Sequence, residues 1–337
     1  MNKNVIKAVA VMLFVLTLYG CEFTGNLFPE LTTAPTTVPT TVPTTAETTT
    51  EEPTTLKQYD FSGLKYASGK AAVCYDLTED RILYERNADA RLYPASLTKI
   101  VTVCVALKYL DPASVFVVGD EINFVGKNSS LCFILKGHAV TLYDLLHGMM
   151  LASGNDAAYT VAVNVARAVT GKEMTDAEAV TCFAGMMNDF CKEQGMKNSH
   201  FVNPEGWDND DEYTSASDLV KAIRYALTYD IFREVIAKSS YHAQFVSGQT
   251  VDWKNSNLML DKSSPYYVNG VCGVKTGTTS QAGRCLAALY KDKERELLIV
   301  SMGNETEDLR YYSVKELIET VKGQKKSDGI KDENTTE

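Results

Sequence analysis

Pro94-Ala95-Ser96-Leu97-Thr98-Lys99 runs into Ile100-Val101-Thr102-Val103-Cys104-Val105-Ala106-Leu107. The second half is apolar on nearly every face, so the stretch reads as a helix over 96–110 that must be buried. In its first turn Ser96 and Lys99 stand at i and i+3 and project from one side. That geometry suits a nucleophile. A serine hydroxyl needs an adjacent base, and a lysine serves as one only where burial or nearby positive charge keeps it neutral. The start of the helix adds a positive field. The spacing does not decide by itself: Ser62 and Lys65 share it ahead of a short strand, and Ser96 with Lys99 reads equally well as a helix cap with a surface lysine.

Working outward, residues 70–75 and 81–85 are short β-rich runs. Stretches 141–152, 156–169, 176–193 and 215–227 have helical length and spacing. Residues 241–246 and 250–254 flank Ser247-Gly248-Gln249 as a hairpin. Three strand candidates follow at 270–276, 284–290 and 297–302, then a closing helix at 308–321. Strands at both ends around a helical middle predict an α+β fold, with an antiparallel sheet of about five strands built from both ends of the domain and packed against helices.

The whole chain has 337 residues, 45% hydrophobic and 23% charged, with a formal charge of −10. Such a composition excludes collagen-like, wholly disordered and polytopic membrane classes. The acidic balance, without clustered Lys and Arg, excludes nucleic acid as a partner. Residues 1–21 carry two lysines ahead of an apolar run that is too short for a span of about 20 residues, which is the pattern of an export signal. Residues 22–58 include a Thr/Pro-rich stretch that reads as an extended, disordered stalk. One domain is expected over 59–321, with no second domain after it and a disordered polar tail over 322–337.

Two further motifs bear on Ser96. Ser153-Gly154-Asn155 joins two apolar helices as a tight turn, which a helix cap would also explain. Val271 to Thr279 reads as a strand ending in small and hydroxyl residues. There Gly277 permits close backbone approach, and Lys275 with its neighbouring hydroxyls offers a carboxylate site. The set Ser96-x-x-Lys99, Ser153-x-Asn155 and Lys275-Thr276-Gly277, in this order, resembles the penicillin-recognising serine enzymes. Within that group the chain is most similar to the low-molecular-mass D-alanyl-D-alanine carboxypeptidases. The words that carry the likeness are 93–100, 151–158, 203–207 (Asn-Pro-Glu-Gly-Trp), 214–219 and 273–279.

The resemblance implies a β-lactamase/transpeptidase-like fold and a role for each matching residue. Ser96 would be the acylated nucleophile and Lys99 its general base; Ser153, Asn155 and Lys275 would relay protons and orient the substrate. Thr276 and Thr278 would bind the terminal carboxylate or the acyl-amide backbone beside Gly277, and the N–H groups of Ser96 and Thr278 would form the oxyanion hole. The partner implied is a peptidoglycan stem peptide ending in D-Ala-D-Ala, with β-lactams as covalent inhibitors and no cofactor or metal. Leu18-Tyr19-Gly20-Cys21 resembles a lipoprotein lipobox, implying a lipid on Cys21 and a tether to the outer face of the cytoplasmic membrane, the alternative being a secreted protein.

Three other functions compete. A secreted β-lactamase of the related class carries a Glu-x-x-Leu-Asn segment, and none lies between Asn155 and Lys275. Transpeptidase or endopeptidase activity depends on cleft shape, and a β-lactam sensor would stop at acylation. The four histidines lack metal-ligand spacing, and the cysteines after Cys21 read as buried thiols with no C-x-x-C. Glu205 and Trp207 are read as parts of a structural loop, and 208–212 as a solvated acidic loop at the rim of the site.

Overall fold

The computed structural model describes residues 58–323. The expected signal, lipidated Cys21, stalk and tail therefore lie outside the described residues, apart from Gln58, Lys322 and Gly323.

A five-stranded sheet forms the backbone of the fold. Its strands are β1 (Ala71–Asp76), β2 (Arg81–Arg86), β7 (Val271–Thr279), β8 (Gly283–Lys291) and β9 (Glu296–Asn304), in the order β2-β1-β9-β8-β7. Every pairing is antiparallel. β1 lies against β9, so the two ends of the domain meet in the centre of the sheet, as the sequence predicts. Two small hairpins lie outside it, β3 (Val115–Val117) with β4 (Ala139–Thr141), and β5 (Ser240–Gln244) with β6 (Thr250–Lys254).

Side chains alternate across a strand, and here both faces of the sheet are covered. Leu297 and Ile299 of β9, with Leu286, Ala288 and Tyr290 of β8, pack beneath Tyr311, Val314, Leu317 and Ile318 of the closing helix α7 (Glu307–Gly323). The intervening Leu298, Val300, Ala287 and Leu289 face the larger core with the helical middle. Two-sided burial is why these strands read as continuous apolar runs rather than alternating ones. α7 also continues two residues past the expected end of the domain.

The helical middle comprises α1 (Thr98–Tyr109), α2 (Leu142–Met150), α3 (Asn155–Thr170), α4 (Asp176–Glu193), α5 (Ala216–Ala226) and α6 (Asp230–Ala237). Every residue of α1 from Thr98 to Leu107 is buried, so the run at 100–107 is the central helix its composition requires. Thr141, Thr175 and Ser215 each accept a backbone N–H at the starts of α2, α4 and α5; at α4 Glu178 completes a capping box.

Two expectations need correction. The helix expected from Ser96 begins at Thr98: Ala95–Leu97 form a 3-10 turn, with Ala95 in the left-handed region at φ 49°. The acidic stretch 208–212 is not solvated throughout. Glu212 is buried, accepting Thr98 Oγ1 at 2.9 Å and Asn203 Nδ2 at 2.5 Å, because it stitches the start of α1 to the 203–207 loop.

Candidate active site

Ser96 sits on the 3-10 turn ahead of α1, at the wall of a cleft of about 260 Å³ whose lining includes Asn155, Glu205, Trp207, Asp208 and Thr278. One turn on, the Lys99 side chain is fully enclosed, and its Nζ lies 3.0 Å from Ser96 Oγ, 2.7 Å from Asn155 Oδ1 and 2.8 Å from the Glu205 carbonyl oxygen. Burial penalises the ammonium and brings the Lys99 pKa from 10.5 down to about 8, against the opposing pull of Glu205, Asp156 and Glu212. A serine hydroxyl thus faces an amine that is available as a base near neutral pH.

Asn155 is the first residue of α3, and Ser153 lies buried in the preceding turn at φ 60°. Ala95 and Ser153 are both non-glycine residues in the left-handed region, which costs each about 1–3 kcal/mol. Both conformations hold site segments in place against surrounding structure. Asp156 supplies part of it: its carboxylate accepts the N–H groups of Cys132 at 3.0 Å and Ile134 at 3.2 Å, while Asn155 N donates to Ser130 O at 2.9 Å. The 128–130 segment, another part of the cleft wall, is thereby bound to the start of α3.

The opposite wall is β7. Gly277 passes over the nucleophile so closely that an added Cβ would stand 3.2 Å from Ser96 N and 3.1 Å from Ala95 Cβ. Thr276 Oγ1 lies 2.8 Å from Ser256 Oγ. Lys275 is 1% exposed and donates to the Thr276 carbonyl at 3.1 Å; burial, and then the positive charges of Lys99 and Arg310, hold its pKa well below the usual 10.5. The residues expected to relay protons are thus distributed, Asn155 on Lys99 and Lys275 on the backbone of its own strand.

Two residues of the site escaped the sequence reading. Arg310, buried on α7, donates from Nη1 to Thr278 Oγ1 at 3.1 Å, adding a third cation beside Lys99 and Lys275. No motif marks an arginine 32 residues past its partner. Glu205 is 2% exposed and lines the cleft, as does Trp207, where the sequence Asn-Pro-Glu-Gly-Trp predicts only parts of a structural loop. Its neighbour Gly206 explains the word: at φ 89° it lies so near the nucleophile turn that a Cβ would fall 1.8 Å from Ala95 O. Of the histidines, His147 is buried and stacks on Tyr241 with centroids 3.7 Å apart, while His242 is exposed beside Asp252. Among the described residues all seven cysteines are free thiols.

A serine on a short turn, a buried lysine on its hydroxyl, and an antiparallel edge strand closing over it place the chain in the β-lactamase/transpeptidase-like class. Within that class, the chain belongs to the D-alanyl-D-alanine carboxypeptidase family, which residues 58–306 match. Relatives include DacA of Escherichia coli K12, 33% identical over 253 residues, covering 72% of this chain and 58% of the relative. DacF of Bacillus subtilis 168 is 28% identical over 254 residues, covering 74% and 61%. Both are D-alanyl-D-alanine carboxypeptidases. The crystal structure of the Streptomyces K15 DD-transpeptidase superposes with a TM-score of 0.69 at 27% identity, covering 76% of this chain and 97% of that one. The chain spans about three fifths of the length of the first two relatives.

Proposed function

We propose that this protein is a serine D-alanyl-D-alanine carboxypeptidase that removes the terminal D-Ala from peptidoglycan stem peptides and is inhibited by β-lactams. The observation that carries the reading is the 3.0 Å approach of Lys99 Nζ to Ser96 Oγ, with burial lowering the amine's pKa. Lys99 takes the hydroxyl proton as Ser96 attacks the D-Ala-D-Ala bond. The N–H groups of Ser96 and Thr278 receive the oxyanion, a role supported by the close passage of Gly277; losing one such donor costs about 3 kcal/mol of the barrier. Thr276, Thr278, Lys275 and Arg310 hold the substrate's terminal carboxylate, a charge suited to the Arg310 guanidinium. Lys99 then protonates the leaving amine, and water releases the acyl group.

The test is D-Ala release from diacetyl-Lys-D-Ala-D-Ala by the purified protein, with penicillin hydrolysis measured alongside. Ser96→Ala should abolish release; retention of wild-type activity would remove Ser96 from its role. A stable penicilloyl ester with no D-Ala release would point to a sensor instead.

The same reading places the domain outside the cytoplasm, tethered through a lipid on Cys21. Among the described residues no helix is long and apolar enough to cross a membrane. Cys21→Ser should release the protein into detergent-free supernatant while leaving peptide hydrolysis intact, and unchanged membrane retention would contradict the tether.

A further inference from the structure

Lys99 serves the first half of the reaction, and its surroundings leave the second half short of a base. A neutral amine has two N–H donors and one lone pair. Asn155 Oδ1 and the Glu205 carbonyl take the donors, at 2.7 and 2.8 Å, and the lone pair is left facing Ser96 Oγ. Once Ser96 is acylated, that lone pair faces the ester oxygen, and the attacking water must give its proton elsewhere.

Two carboxylates line the cleft, Glu205 and Asp208. Asp208 is only half-buried and spans the rim, where its Oδ2 accepts Ser280 Oγ and Gln281 N, both at 3.2 Å, while its Oδ1 has no partner. Glu205 is enclosed, and Tyr159 and Asn155 reach its carboxylate, yet its Oε2 has no hydrogen-bond partner. A buried, unmatched carboxylate oxygen is costly to leave bare, so its retention in the cleft lining that also holds Ser96 asks for a ligand. The loop is fixed there: Asn203 Oδ1 accepts the N–H of Glu205 at 3.1 Å and of Gly206 at 2.7 Å, and Gly206 packs directly on Ala95.

We propose that Glu205 is the general base of deacylation, the group that holds and deprotonates the hydrolytic water. The inference rests on the acyl-enzyme reading of Ser96. The water oxygen bonds to the ester carbonyl carbon as its proton passes to Glu205 Oε2. Glu205 then hands that proton to the neutral Lys99, and the bond from that carbon to Ser96 Oγ breaks as Oγ takes a proton from Lys99. Glu205 is again ionised and Lys99 again neutral, and the net change is ester plus water to acid plus serine. Burial raises the Glu205 pKa, which strengthens the carboxylate as a base.

The test uses the full-length protein and Glu205→Gln with diacetyl-Lys-D-Ala-D-Ala, following D-Ala release and the mass of the intact protein, and a fluorescent penicillin to measure acylation. Glu205→Gln should label with the penicillin within about threefold of the wild-type rate. With peptide it should release one equivalent of D-Ala in a burst, then turn over about 100-fold or more slowly while the acyl-enzyme accumulates. Glu205→Asp should recover part of the steady rate. Unchanged turnover, or a loss of turnover in which penicillin labelling falls in proportion and no acyl-enzyme appears, would overturn the proposal. If the wild type neither releases D-Ala nor takes up penicillin, the acyl-enzyme reading itself fails, and the role of Glu205 falls with it.

Discussion

Lys99 is charged in water and enclosed here, and the sign of its response to pH follows from that contrast. Burial disfavours the ammonium, so the proton leaves at about pH 8 instead of 10.5; Glu205, Asp156, Glu212 and Cys132 pull the other way without reversing it. In the proposed reaction the active form is the neutral amine. Acylation by a β-lactam should therefore rise about tenfold per pH unit below about 8 and level off above it. A rate independent of pH between 6 and 9 in stopped-flow labelling would show that Lys99 is not the base. Lys99→Arg, which keeps the charge but cannot shed it, should slow acylation about 10²- to 10⁴-fold.

At the scale of elements, the site is a matter of how β7 lies on the turn before α1. Gly277→Ala would place a methyl 3.1 Å from Ala95 Cβ and 3.2 Å from Ser96 N, so that the strand and the turn bearing Ser96 must shift apart by a few tenths of an ångström. The expected outcome is a folded protein whose acylation rate falls at least about tenfold; an unchanged rate would mean that the strand does not set the oxyanion geometry. Much of this level was legible. The run at 100–107 could only be a buried helix, and 176–193 carries its own capping box, so its bounds match α4. Ser96 was placed in the helix because nothing in Pro94-Ala95-Ser96 announces a left-handed Ala95. The hairpin of β3 and β4 is not legible in the sequence because each strand is three residues long, too short to show an alternating pattern despite the strand-forming residues of Val115–Val117. α6 was missed as well, an eight-residue helix begun without a side-chain cap.

At the scale of the molecule, the cleft draws on parts that are far apart in sequence, and this is what limited its legibility. Ser96, Lys99, Asn155 and Lys275 stand in words that can be recognised. Glu205 and Arg310 acquire meaning only when the chain closes, the first 106 residues past Lys99 and the second on the last helix. Because β1 pairs with β9 and α7 covers the far face of the sheet, docking of the C-terminal helix also delivers Arg310 to β7. Its guanidinium is tied to Thr278 at 3.1 Å, Tyr311 Oη at 3.2 Å and Glu307 at 2.9 Å, a cation held directly behind a residue of the cleft wall, and under the proposed function it serves the substrate's free carboxylate. Arg310→Gln should therefore discriminate between substrates by their ends. For a peptide with a free C-terminal carboxylate, KM should rise and kcat/KM fall about 10- to 100-fold, the usual scale of one lost charged hydrogen bond. For the same peptide with an amidated end, already a poor substrate, the substitution should change kcat/KM less than threefold. An equal loss for both would assign Arg310 to holding β7 against α7 rather than to reading the carboxylate.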